Sequence, residues 1–168
     1  MAVEPSSPST GPAFERKLCA PEHARQRTLQ LAAPVVFTNG CFDLLHRGHV
    51  TYLAQARALG ASLVVALNSD ASVRRLGKGD DRPVNTLADR MAVIAALECV
   101  DLVTWFDADT PLQVIEAVAP QVLVKGGDWP ADRIVGAAAV TASGGRVVSI
   151  PFIHQRSTTA LLERIRTL

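Results

Sequence analysis

From residue 35 onward the chain alternates two apolar patterns. Short unbroken runs, at 35–38 (VVFT), 62–68 (SLVVALN), 101–106 (DLVTWF), 121–125 (QVLVK) and 145–152 (GRVVSIPF), are rich in β-branched residues. That is the composition of strands buried on both faces. Between them lie stretches with helical spacing. In 50–60 the spacing puts Val50, Leu53, Ala54 and Ala58 on one face, with Gly60 as the stop. Residues 69–76 form a helix capped by Ser69 or Asp70. Residues 86–98 open with Thr86 and Asp89 in near capping-box spacing and carry Leu87, Met91, Ile94 and Ala95 on the apolar face. A helix over 109–119 has Thr110 as cap and Pro111 in its first turn. Residues 131–143 are Ala-rich and helical, and a last helix over 157–168 starts at Ser157 or Thr158. Upstream, a short helix begins at Pro21.

Strand and helix in alternation give an α/β fold: a Rossmann-like, doubly wound parallel sheet of five strands, in one domain over 21–168. Residues 1–20, with the low-complexity run PSSPSTGP, read as a flexible tail. In such sheets ligands sit at the carboxyl ends of the strands, where the strand order reverses. The unusual residues cluster there: Thr38, Asn39 and Gly40 after the first strand, Asn68 and Asp70 after the second, and Lys125, Gly126, Gly127, Asp128 and Trp129 after the fourth.

The bulk numbers exclude more than they identify. With 168 residues, 48% of them hydrophobic, the chain can bury a core, and a net charge of +1 with no basic run gives no reason to expect a nucleic-acid partner. No apolar stretch reaches the roughly 18 to 20 residues that span a bilayer, and the N-terminus lacks the pattern of a secretory signal. Cys19, Cys41 and Cys99 show no metal or disulfide spacing, which fits a cytoplasmic location.

The chemistry concentrates in FTNGCFDLLHRGH. His46 and His49 fall where the first strand hands over to a helix, whose N-terminal N–H groups attract anions. There the two imidazoles can donate to phosphate oxygens. Gly48 leaves room for a flat ring against the backbone, and Gly40 allows a turn close to a phosphate. The segment is neither a Walker A loop nor a dinucleotide fingerprint. A zinc site would need further ligands, with Cys41 and Asp43 the nearest and His23 and His154 farther off. A phosphate clamp is therefore favoured over zinc and over buried structural histidines, and no protein-bound metal is assigned.

Only three lysines occur, and two stand at strategic points. Lys78 lies in the polar loop GKGDDRPVN, either solvated or closing over a triphosphate. Lys125 ends a strand beside Gly126 and Gly127 and reads as a second phosphate contact. Asp128 suits a sugar hydroxyl. Trp129 is either a stacking group or a core or lid aromatic. Arg90, at the edge of an apolar face, either snorkels or reaches a phosphate, the second being favoured. Ser157, Thr158 and Thr159 are either a helix cap or donors to outer phosphates. Asp43 can orient a histidine or help hold Mg²⁺.

Together these segments resemble the cytidylyltransferase-like nucleotidyltransferases. HRGH matches the HxGH motif of that superfamily, and STT its Ser-Thr signature. The blocks FTNGCFDLLHRGHVTYLAQARALG, LNSDASVRRL, RPVNTLADRMAVIAALE, DTP, LVKGGDW and STT resemble the branch that adenylylates D-glycero-β-D-manno-heptose 1-phosphate, over about 34–168. The resemblance implies ATP and a sugar 1-phosphate as substrates, Mg²⁺ as cofactor, a homo-oligomer, and ADP-heptose for lipopolysaccharide core synthesis. It carries over His46 and His49 as triphosphate contacts, Lys78, Arg90 and Lys125 as matching cations, and Phe42 with the flanking 38–40 turn as part of the nucleotide site. Many members are fused to a sugar kinase. No kinase-sized segment is present here, so a separate heptose kinase is implied. The rival readings are a CTP-dependent enzyme acting on a small phosphorylated acceptor such as glycerol 3-phosphate, and a non-catalytic ATP-binding module.

Overall fold

A computed structural model describes residues 11–77, 79, 81–154 and 157–168. Five strands, β1 (Val35–Gly40), β2 (Ser62–Asn68), β3 (Leu102–Phe106), β4 (Val122–Gly126) and β5 (Arg146–Ile150), form one sheet in the order β3-β2-β1-β4-β5. Every pairing is parallel. The winding runs outward from β1 to β3, then crosses back to β4 on the other side of β1. The reversal point therefore lies between the carboxyl ends of β1 and β4, the place that the sequence pattern points to.

Alternation along each strand supplies two cores. Val36, Leu63, Val65, Leu67 and Val124 face α2 (Arg47–Arg57) and α4 (Leu87–Ala95). Phe37, Val64, Ala66, Leu102 and Leu123 face α1 (Ala24–Thr28), α5 (Leu112–Val118) and α6 (Ala137–Ala142). The remaining helices are α3 (Asp70–Arg75) and α7 (Thr158–Arg166). Ser69, Thr86 and Ser157 cap α3, α4 and α7, each hydroxyl accepting an N–H three residues on.

Four expectations change. The helix after the first strand starts at Arg47, three residues earlier than the apolar spacing suggests, and buries Gly48, Tyr52, Leu53 and Ala56. Val50, Ala54 and Ala58 lie off that face, because the stripe is set by packing Gly48 and Tyr52 against the strand ends. Thr110 does not cap α5: Pro111 occupies the N-cap, with no side-chain cap bond. Residues 131–143 are broken into a 3-10 turn at Ala131–Arg133 and α6, because Gly136 takes a left-handed φ of 86° between them. Finally, the chain is packed well before residue 20. A 3-10 turn at Ala13–Lys17 lays Phe14 and Leu18 on the core, and Leu18 bridges Val103 on the outer edge of β3. The Cys19 N–H donates to the Val103 carbonyl at 2.9 Å and Cys19 is buried, so this segment covers an otherwise open strand edge. The tail expected over residues 1–10 lies outside the described residues.

Candidate active site

The loop from β1 to α2 is shaped by Phe42, which takes φ 47°, a conformation that costs a non-glycine residue of order 1 kcal/mol or more. This turn buries the Phe42 ring under the site, edge-on to His49 with centroids 5.4 Å apart. His46 occupies the N-cap of α2 in extended conformation, and its carbonyl accepts the His49 N–H at 2.9 Å. Helix geometry then brings the two imidazoles together: they stack with centroids 3.8 Å apart and planes within 16°. Gly48 is required between them. A Cβ there would stand 3.0 Å from His46 Nδ1 and 3.4 Å from the His154 carbonyl.

His49 is held neutral. Burial is the main reason, the adjacent His46 adds to it, the Leu44 carbonyl opposes both, and the result is a pKa lowered to about 4. Its buried Nδ1 makes no well-formed hydrogen bond among the described residues, and the Leu44 carbonyl is the backbone group its ring approaches. A buried ring nitrogen without a partner is costly unless a ligand or water supplies one.

The N-terminus of α7 shares the cleft with the histidines. Ser157, Thr158 and Thr159 join Cys41, Phe42, Asp43, His46, His49, Arg82 and Phe152 around a cleft of about 430 Å³. The Ser157 hydroxyl accepts the Ala160 N–H at 3.1 Å, and Thr158 Oγ1 lies 3.4 Å from the Leu44 carbonyl, linking α7 to the histidine loop. Two helix N-termini thus point into one cleft, a setting that favours a polyanion. A groove of the same volume opens beside Trp105, Thr110 and Gln113, but it carries Glu22 and Asp107 and no cation, so a phosphate chain is repelled there.

Several residues expected to contact ligand are engaged with one another instead. Arg90 is 1% exposed. Its Nη1 donates to the Cys41 carbonyl (2.7 Å), its Nη2 to the Asn68 carbonyl (2.9 Å) and Asp70 Oδ1 (2.6 Å), and its Nε to the Asn85 carbonyl (3.1 Å). It neither snorkels nor lines the cleft. It ties the ends of β1 and β2 to the segment before α4. Asn68 is held through Ser72 Oγ at 3.0 Å, and Asp70 through Arg90. Thr38 is fully buried and shares a 2.5 Å hydrogen bond with Tyr52. Tyr52 stands behind the site with its hydroxyl pushed up to about 12, mainly by burial.

Asp43 reaches the cleft wall, but its carboxylate is taken. Oδ2 accepts from Arg82 Nε at 2.5 Å, Oδ1 from the Val84 and Asn85 N–H groups at 2.9 Å each, and its own carbonyl accepts Asn85 Nδ2. Burial pushes the Asp43 carboxyl up, yet the two N–H donors and the Arg82 guanidinium outweigh it and leave it below its usual value. The polar loop is thus pinned from Arg82 to Asn85. Lys78 lies outside the described residues.

Beside the cleft, at the end of β4, Gly126 lies under the Phe152 ring, where a Cβ would come within 2.6 Å of Cζ. Gly127 turns with φ 106°, its carbonyl accepting the Ser149 hydroxyl. Trp129 is 53% exposed, its N–H donating to Ser149 and its indole to the Gly126 carbonyl. Trp129 is therefore neither a core residue nor part of the cleft wall. Asp128 is exposed, Lys125 is half-buried, and neither lines the cleft; Asn39 and Gly40 form the last pairs of β1 behind it. Arg82 and Phe152 are wall residues that the sequence pattern does not single out.

The cytidylyltransferase-like family model matches residues 37–160. The chain belongs to that family. It is 60% identical, over 137 residues, to the D-beta-D-heptose 1-phosphate adenylyltransferase of Bordetella bronchiseptica, covering 82% of this chain and 85% of that protein. It is 59% identical over 133 residues to the bifunctional protein HldE of Geotalea uraniireducens, of which it spans 27%. Among solved structures, the lipopolysaccharide core biosynthesis protein from Thermoplasma volcanium superposes with a TM-score of 0.59 at 26% identity, over 73% of this chain and 98% of that one. The Francisella tularensis pantoate-beta-alanine ligase, at 13% identity and TM-score 0.57, shares the fold. This cytidylyltransferase-like chain brings its two signature segments, HRGH and STT, to the lining of one cleft, although more than a hundred residues separate them in sequence.

Among the described residues, no group of three His, Cys, Asp or Glu is placed to hold a metal ion, and none of their helices is long and apolar enough to cross a membrane.

Proposed function

We propose that the chain is an adenylyltransferase that moves AMP from ATP to D-glycero-β-D-manno-heptose 1-phosphate, giving ADP-heptose and pyrophosphate. The observation that carries the reading is the stacked His46–His49 pair lining one cleft together with the N-terminus of α7. The 60% identity to a heptose 1-phosphate adenylyltransferase supports the choice of base and sugar.

In the reaction an oxygen of the sugar phosphate attacks the α-phosphorus. The α–β bridging bond breaks, and its electron pair leaves with pyrophosphate. Such a transfer needs positioning and charge neutralisation and no protein nucleophile. His46 and His49 donate to the phosphoryl oxygens as charge builds on them, the role of a preorganised donor pair. Ser157–Thr159 and the α7 N-terminus hold the outer phosphates. Lys78, and Lys125 at the end of β4, contribute charge, with Gly126–Trp129 on the sugar side.

Mg²⁺ supplies charge neutralisation on the phosphates when bound. Asp43 and Asp70 hydrogen-bond to Arg82 and Arg90, and among the described residues no group of three potential ligands would form a protein cradle for it. The reading further has this domain working in the cytoplasm as a homo-oligomer within lipopolysaccharide core synthesis, on heptose 1-phosphate made by a heptose kinase. The test is a panel of nucleoside triphosphates and sugar phosphates read out as pyrophosphate. ATP with heptose 1-phosphate is the pair expected to react, and turnover with CTP alone would overturn the assignment.

A further inference from the structure

Two arginines are buried near the strand ends, and they differ in one respect. Arg90 has four hydrogen bonds to carbonyl and carboxylate oxygens. Arg82 is 5% exposed, yet among the described residues its guanidinium makes one hydrogen bond, from Nε to Asp43. A guanidinium carries five N–H donors in a rigid fork; here Asp43 takes the Nε edge, and the Nη groups are not among the buried atoms without a partner but belong to a residue that lines the open cleft. Asp43 meets only the Nε edge, since its oxygens also accept the Val84 and Asn85 N–H groups, which leaves the Nη edge of Arg82 available to another acceptor. Arg82 lines the same cleft as His46, His49 and Ser157–Thr159. Its backbone N–H donates to the Gly79 carbonyl at 3.2 Å, the residues just after it are held by Asp43 through the Val84 and Asn85 N–H groups, and its neighbour Asp81 pairs with Arg166 of α7.

We propose that Arg82 is a phosphate-binding residue of this site, its terminal N–H groups gripping the pyrophosphate portion of the nucleotide, with Asp43 as the group that aims it. The inference rests on the nucleotidyl-transfer reading. The planar fork matches two phosphate oxygens, which a lysine at the same place could not do. The residue meets the leaving group, where negative charge appears as the α–β bond breaks. It sits in the RPVN segment, which by charge alone reads as an ordinary polar loop.

The experiment is calorimetric titration of pyrophosphate, and separately of AMP, into the wild-type chain and into Arg82→Gln and Arg82→Lys, with ligand-free melting of each. Arg82→Gln keeps a donor for Asp43 and removes the charge. The expected result is pyrophosphate binding weakened by about 10- to 100-fold in Arg82→Gln, the scale of charge-assisted hydrogen bonds. Arg82→Lys falls between it and wild type, and AMP affinity is unchanged in both. A purely structural residue would lower the melting temperature and weaken both ligands together, or leave pyrophosphate binding untouched in a folded variant. Either result overturns the assignment. If Arg82→Gln does not fold, Arg82→Lys decides by the same split between pyrophosphate and AMP. If the wild-type chain itself fails to bind pyrophosphate, the nucleotidyl-transfer reading of the cleft falls, and this inference with it.

Discussion

The imidazoles of His46 and His49 lie face to face, 3.8 Å apart, at the mouth of α2, and His49 is held uncharged there. Two rings this close cannot both carry a positive charge without a counter-charge between or beside them. The pair is thus arranged for a polyanion. In the free site they repel further protonation; with phosphate bound, the anion offsets that repulsion.

Removing one donor should therefore cost rate more than binding. His49→Ala is expected to lower kcat by on the order of 10²-fold, the scale for losing one transition-state donor. Its KM for ATP should move far less. Steady-state kinetics against ATP checks this, and a near-normal kcat would contradict the clamp.

The pH dependence has a definite sign. His49 ordinarily titrates near 6.5 and is lowered to about 4 in the folded chain. Between those values the unfolded chain binds the extra proton, so this contribution to stability is complete above about 6.5 and is lost as pH falls toward 4. The lowered Asp43 carboxyl acts in the same direction at still lower pH, its contribution fading as pH drops through and below the usual 3.8. Melting temperatures between pH 7.5 and 4 should fall monotonically. In His49→Phe the part of the slope between 6.5 and 4 should shrink.

Arg90 is expected to behave as a positioning residue. Arg90→Met leaves three carbonyls and Asp70 without their donor, at a cost of about 3 kcal/mol or more. Arg90→Lys should recover only part of it, since one ammonium cannot span β1, β2 and the segment before α4. Chemical denaturation measures the loss. A direct phosphate contact would instead reduce activity with stability intact.

Gly48→Ala tests the space between the histidines. The added Cβ would crowd His46 Nδ1 at 3.0 Å, so that ring must shift. Activity should fall at least as far as in a conservative histidine variant, with a melting temperature close to wild type, as thermal denaturation and initial rates together can show.

The fold was largely legible because its signals are local. Unbroken β-branched runs at β1, β2 and β4 and hydroxyl caps at Ser69, Thr86 and Ser157 depend on neighbours in sequence. The stripe on α2 was not, since its rotation follows from Gly48 and Tyr52 meeting distant strands. The site divides the same way. His46, Gly48 and His49 share one helix turn and can be read directly. Arg90, Asn68, Asp70 and Thr38 are polar residues at strand ends, and sequence cannot say whether such a group serves a ligand or its neighbours. That depends on partners up to 49 residues away, as between Arg90 and Cys41. Arg82 was missed for the converse reason. Its burial is created by Asp43, 39 residues earlier.

The central claim is that the cleft between the two helix N-termini performs adenylyl transfer to a sugar phosphate. Its most direct test is single-turnover formation of ADP-heptose from ATP, Mg²⁺ and D-glycero-β-D-manno-heptose 1-phosphate, followed by mass spectrometry for the wild-type chain and His49→Ala. The account predicts stoichiometric ADP-heptose and pyrophosphate from the wild type, and a variant slower by on the order of 10²-fold. Absence of ADP-heptose from the folded wild-type chain, or equal rates for the two proteins, would contradict it.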